Sequence, residues 1–189
     1  MQKVVVEITG TTPLLMNNPA KMRAATPGGK KPTAPDPAVE AAEGRYLMPD
    51  QKTLCLKSDH LHRCFILASS GYRIAGRRSV VPYIAGSIDI QPDLISLNTS
   101  AYIVDSRRVV IKSGMGGGGG GIIRSRPLVW PWNAAFELYY DEEVFTPDFL
   151  QKVLCEQICK HAGKALGLLD YRPGKGGKFG RFNVTKWVQ

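Results

Sequence analysis

The chain has 189 residues, 43% of them hydrophobic, and a formal net charge of +9 from 25 Lys and Arg against 16 Asp and Glu. That length suits one domain over residues 1–189, and the apolar share supports a packed core, which excludes a disordered or collagen-like chain. No apolar run is long enough to span a membrane, and MQKVVVEITG lacks the pattern of a signal peptide, so the expectation is a cytoplasmic protein with a polyanionic partner.

Residues 3–9, KVVVEIT, alternate as a strand, with Val4, Val6 and Ile8 on one face. GTTPLLMNN follows, then an irregular, proline-rich stretch that reads as an insertion over about 17–45. YLMP and TLCLK are short strand-like pieces. SDHLHRCFILASS (58–70) reads as a helix with Ser58 as its cap and Leu61, Cys64, Phe65 and Ala68 as its apolar stripe.

A second insertion is expected over about 80–130. It ends in two hairpin arms, AYIVDSRRVVIKSG and GIIRSRPLVW, joined by the glycine run MGGGGGG. AAFELYY is a strand with Ala134, Phe136, Leu138 and Tyr140 on one face. Thr146-Pro147-Asp148 opens a second helix, with Phe149, Leu150, Val153, Leu154, Gln157 and Ile158 on its buried stripe. FNVTKWV closes as a strand. With the insertions set aside, the order is βαββαβ, the α+β ferredoxin-like plan that RNA-recognition modules use.

No catalytic or cofactor motif appears. His60 and Cys64 are one helical turn apart but have no third or fourth ligand nearby in sequence, so no metal is expected. Cys155 and Cys159 have the spacing of packed helical residues, and free thiols fit a reducing compartment. GKGGKFG precedes a strand rather than following one, which rules out the dinucleotide fingerprint, and no cofactor is expected.

The basic residues are segregated. Windows 21–31, 73–78, 107–126 and 172–186 contain no acid and hold 17 of the 25 cations. The richest is DYRPGKGGKFGRFNV (170–184). Its glycines let backbone amides approach phosphates, Arg172, Lys175, Lys178 and Arg181 neutralise them, and Phe179 offers a base-stacking ring. Arg124 and Arg126 leave one face of a strand and extend that track. Arg73, Arg77 and Arg78 contribute from the exit of the first helix. No pattern that reads individual bases is visible.

ITGTTPLL, then YLMP…LKSDHLHRCF, then GLLDYRPGKGGKFGRF resembles the RAMP superfamily of CRISPR-associated proteins, most closely the backbone subunits that polymerise along a guide RNA. The resemblance implies a modified RNA-recognition fold with a thumb-like hairpin. It also implies RNA contacts at Gly174, Lys175, Gly176, Gly177, Lys178 and Gly180. Implied partners are single-stranded guide RNA, a target strand, side-by-side copies of the chain, and other effector subunits in antiviral defence.

Some members of the superfamily cut target RNA with an aspartate in the loop after the first strand, and Asp36 is the local candidate. The leading expectation is a non-catalytic RNA-binding subunit. The alternatives are a ribonuclease using Asp36 and a phage-type single-stranded DNA-binding protein.

Overall fold

The structure, a computed structural model, describes residues 1–19, 36–74, 78–110, 121–146 and 150–189. In chain order the elements are β1 (Gln2–Gly10), β2 (Leu14–Leu15), α1 (Pro37–Glu43), β3 (Cys55–Lys57), α2 (Ser58–Ala68), β4 (Arg73–Ile74) and β5 (Arg78–Ser79). They continue with α3 (Val81–Ser87), β6 (Ile88–Gln91), β7 (Leu94–Ser96), β8 (Ile103–Val110), β9 (Gly121–Val129) and β10 (Asn133–Tyr140). Last come the helix α4, built of Leu150–Cys159 and Ala162–Leu166, and the strand β11 (Phe182–Val188).

The main sheet has the order β11-β1-β10-β6, and all its pairs are antiparallel. Counting only these four strands, the spatial order is fourth, first, third, second. α2 lies between the first and second, and α4 between the third and fourth. This is the ferredoxin-like βαββαβ fold that the strand and helix patterns predict.

Alternation explains the sheet's two faces. Val4, Val6 and Ile8 of β1 and Ala134, Phe136, Leu138 and Tyr140 of β10 are buried together under the helices. α2 turns Leu61, Cys64, Phe65 and Ala68 inward, and Phe65 meets Phe136 at 6.4 Å between ring centroids. Each fully buried Leu, Ile, Val or Phe contributes about 1.5–3 kcal/mol, so these two stripes hold the layers together.

Several expectations change. Ser58 is the first helical residue of α2; the capping position is Lys57, whose N–H donates to Nδ1 of His60 at 3.2 Å. α4 is wound as a π-helix, so its inner face follows a repeat of four: Leu154, Cys155, Ile158, Cys159 and Ala162 are buried, while Gln157 is exposed. The stretch 80–130 is not all insertion, because Ile88–Gln91 forms β6, an edge strand of the core sheet. Within the 17–45 stretch, Asp36 caps the short helix α1. The cations of 21–31, the glycines of 115–120, Arg77, and Pro147, Asp148 and Phe149 lie outside the described residues.

A second sheet, β2-β9-β8, is the expected hairpin with β2 laid along its base. α1 covers the edge of β9 farther along: the Glu40 carboxylate accepts from the Ser125 N–H and from Arg124 Nη1, both at 2.9 Å. Edge amides given such a partner are closed to stray strand pairing.

Candidate nucleic-acid interface

Three segments meet at one end of the main sheet: the ITGTTPLL turn, the base of the β8–β9 hairpin and the glycine loop of 167–181. Gly10 donates its N–H to the Trp132 carbonyl at 2.9 Å, and the Trp132 indole N–H donates to the Thr12 carbonyl at 2.8 Å. Gly180 N–H reaches the Pro13 carbonyl at 2.8 Å, and Arg181 N–H reaches the Thr12 hydroxyl at 2.9 Å. Leu14–Leu15 then pairs with β9, and Leu15 bridges to Asp170. The small polar residues of the turn are thus the knot that ties hairpin and loop to the sheet.

The glycine loop is not an open nest of amides. Lys175 and Gly177 donate to the Arg172 carbonyl, Gly176 to Pro173, Phe179 to Tyr171, and Leu168 to Gly180, all at 2.9–3.0 Å. These five amides therefore already serve the loop's own fold. The glycines are needed because backbone meets backbone. A Cβ on Gly177 would sit 1.8 Å from the Tyr171 carbonyl oxygen, and one on Gly180 would sit 2.1 Å from that of Leu168.

The side chains divide into two groups. Lys175, Lys178 and Arg181 are exposed and carry no ion pair among the described residues. Three hairpin arginines, by contrast, are paired, while Arg108 is exposed and forms no ion pair with a described residue. Arg126, only 14% exposed, bonds Asp170 at 3.0 Å; Arg124 bonds Glu40 at 2.9 Å; Arg107 bonds Asp105 at 2.5 Å. The windows are free of acid in sequence, but the fold supplies partners, Glu40 and Asp170 from distant segments and Asp105 from the same strand. Arg124 and Arg126 are therefore structural anchors rather than a free phosphate track.

Phe179 is 5% exposed and lies beneath the Arg107 guanidinium at 4.7 Å, so it has no free face for a base. Phe182 is core. The exposed ring of the loop is Tyr171, 43% exposed and held at φ 53. DYRPG contained that signal, but nothing in the spacing separated Tyr171 from Phe179. Arg172 donates from Nη1 to the Leu169 carbonyl at 2.7 Å. Gly174 and Gly176 are exposed on the outer turn. Arg73 pairs with Ser79 and Arg78 with Ile74 in the β4–β5 ribbon after α2, at the opposite end of that helix from its start, about 16 Å away for eleven residues.

The open face of the main sheet is a poor surface for a polyanion. The registers place Lys3, Glu7, Asp89, Glu137 and Lys186 there, three acids against two cations. Lys3 bonds Glu137 at 2.6 Å and Lys186 bonds Glu7 at 2.8 Å. The hydrogen bond and charge of Lys3, with a further hydrogen bond from Tyr139, hold the Glu137 carboxyl below its usual range.

Asp36 caps α1, accepting from the N–H groups of Ala38 at 2.8 Å and Val39 at 3.2 Å. No group of three His, Cys, Asp or Glu side chains among the described residues is placed to hold a metal ion. His60 packs edge-on to Tyr46 at 4.9 Å, and burial together with the nearby Lys57 charge lowers its pKa to about 4, so its ring is neutral at pH 7. Burial pushes the Cys64 thiol up to about 12, and its sulfur faces the Gly167 carbonyl at 3.4 Å. All four cysteines are free and buried. No described helix is long and apolar enough to cross a membrane.

No protein-family profile and no curated protein sequence matches this chain. Among solved structures it is similar to a chain in the cryo-EM structure of the Type III-B Cmr-beta bound to cognate target RNA, with a TM-score of 0.59 at 13% identity. The match covers 98% of this chain and 59% of that one, so this chain spans less than two thirds of the length of its neighbour. The two share a fold across nearly all of the present chain.

Proposed function

We propose that this chain is an RNA-binding subunit of a CRISPR-type ribonucleoprotein, one that packs beside copies of itself along single-stranded guide RNA and helps present it to a target. The observation that carries the reading is the exposed set Lys175, Lys178 and Arg181, free of acids, on a loop tied to the base of a projecting hairpin. Charges held on an ordered loop meet phosphates without a large ordering cost. The ion-paired, slightly acidic sheet face directs the strand over this end of the fold rather than across the sheet.

Two further facts support the reading. The structural neighbour belongs to a complex bound to target RNA. The hairpin exposes Ile103 at 64% and Ile123 at 70%, apolar surface suited to contact with another protein copy.

The test is the purified protein itself. Its absorbance ratio at 260 and 280 nm, followed by nuclease digestion and sizing, should reveal RNA protected in a ladder of equal steps. Clean monomer that also ignores RNA at low salt would end this reading. Equal affinity for RNA and DNA of the same sequence would favour a general single-strand binder, because nothing would then be reading the 2′-hydroxyl.

A further inference from the structure

A cleft of about 280 Å³ separates α2 from the segment that leads out of α4 into the glycine loop. Leu67 on one wall and Leu166 and Leu168 on the other make it apolar. Polar groups stand on both walls as well. Asp59 and Arg63 lie one turn apart on α2 and so share a side of the helix. Despite their opposite charges, they form no ion pair with each other or with any described residue.

Arg172 stands across from them, held by its bond to the Leu169 carbonyl at 2.7 Å. His60 adds a neutral ring whose Nδ1 accepts a backbone N–H, so its proton sits on Nε2. The cleft adjoins the exposed cations. Gly174 lies against Leu166, an added Cβ there falling 3.2 Å from the leucine Cδ2, and Lys175 is the next residue.

We propose that this cleft takes one nucleobase of the bound strand, and that the base is guanine. The inference rests on the RNA reading above and adds a base preference that no sequence pattern suggested. Apolar walls suit the two faces of a base. Guanine combines adjacent donors, N1–H and the N2 amino group, with the acceptors O6 and N7. A carboxylate one helical turn from an unpaired guanidinium offers the complementary set, and arginine on O6 and N7 is the commonest specific base contact. The phosphates flanking that base would fall on Lys175 and its neighbours.

Fluorescence anisotropy tests this with a short uridine oligomer carrying one central guanosine, compared with the same oligomer carrying adenosine, cytidine or uridine there. The guanosine oligomer should bind about tenfold more tightly, the discrimination expected of one good bidentate contact. Asp59→Asn should reduce it to the level of the uridine oligomer measured with the same variant. Leu67→Trp, at a position 39% exposed and therefore able to accept the larger ring, should fill the cleft and do the same.

Equal and tight binding of all four oligomers would overturn the cleft assignment and leave the RNA reading standing. A preference for another base, or a guanosine preference that survives Leu67→Trp, would also overturn it. Binding of none of them at low salt would overturn both readings.

Discussion

Gly177→Ala separates a loop that folds on itself from a loop held open for phosphates. The new methyl carbon would lie 1.8 Å from the Tyr171 oxygen and 2.2 Å from its carbonyl carbon, so the two backbone segments must part by well over an ångström. Two hydrogen bonds cross that contact, Gly177 to Arg172 and Phe179 to Tyr171, both 3.0 Å. Losing them costs about 0.5–1.5 kcal/mol each, and overpacking adds about 1–3 kcal/mol, so the total is about 2–6 kcal/mol. Gly176→Ala is the control. At φ +77 with nothing within 4 Å, it carries only the left-handed penalty of about 1–2 kcal/mol. Urea unfolding of the two variants should rank Gly177→Ala clearly below Gly176→Ala. Equal stability with lost RNA binding in both would refute the packing argument and restore the phosphate clamp.

Four further outcomes follow from the same contacts. Asp36→Ala should cost about 0.5–2 kcal/mol through loss of the α1 cap, read as a lower urea midpoint, with no metal-dependent RNA cutting to lose in a gel assay. His60 has a folded pKa of about 4 against 6.5 when unfolded, so the unfolded chain binds the extra proton between those values. Stability is then full above pH 6.5 and falls by about 2–3 kcal/mol as pH drops to 4, after discounting for partial exposure; a His60→Gln variant should show a flatter profile. Cys64 should resist iodoacetamide at pH 8 in the native protein and react in urea, followed by mass spectrometry. Lys3→Gln should leave RNA affinity within about twofold, because Lys3 is paired on the open sheet face; a large loss would move the RNA track onto the sheet.

The core was legible because it has a single period per element. β1, α2 and β10 each show one unbroken pattern, and with the second helix and the closing strand they outline most of the ferredoxin-like plan. α1 was hidden although Asp36-Pro37 is a sound start signal, because the prolines around it suggested an irregular loop. β6 is four residues long, too short for alternation to stand out from the insertion around it. The candidate site was legible only where charge stays exposed. Lys175, Lys178 and Arg181 could be read from composition. The pairing of Arg124 with Glu40 and of Arg126 with Asp170 spans 84 and 44 positions along the chain, and no local window reports it. The burial of Phe179 is hidden for the same reason: Arg107, 4.7 Å from its ring and 5.6 Å from that of Tyr171, arrives from a hairpin distant in sequence.

On the proposed reading, Lys175, Lys178 and Arg181 hold RNA phosphates from one loop. This is tested most directly by the salt dependence of single-stranded RNA binding for the wild type and for a Lys175→Gln, Lys178→Gln, Arg181→Gln triple variant. Each phosphate neutralised on a single strand contributes about 0.7 to the slope of log affinity against log salt, so the variant's slope should be shallower by about 2. A slope unchanged by the triple substitution, or a shallow one in the wild type, would mean that these three cations do not hold the strand.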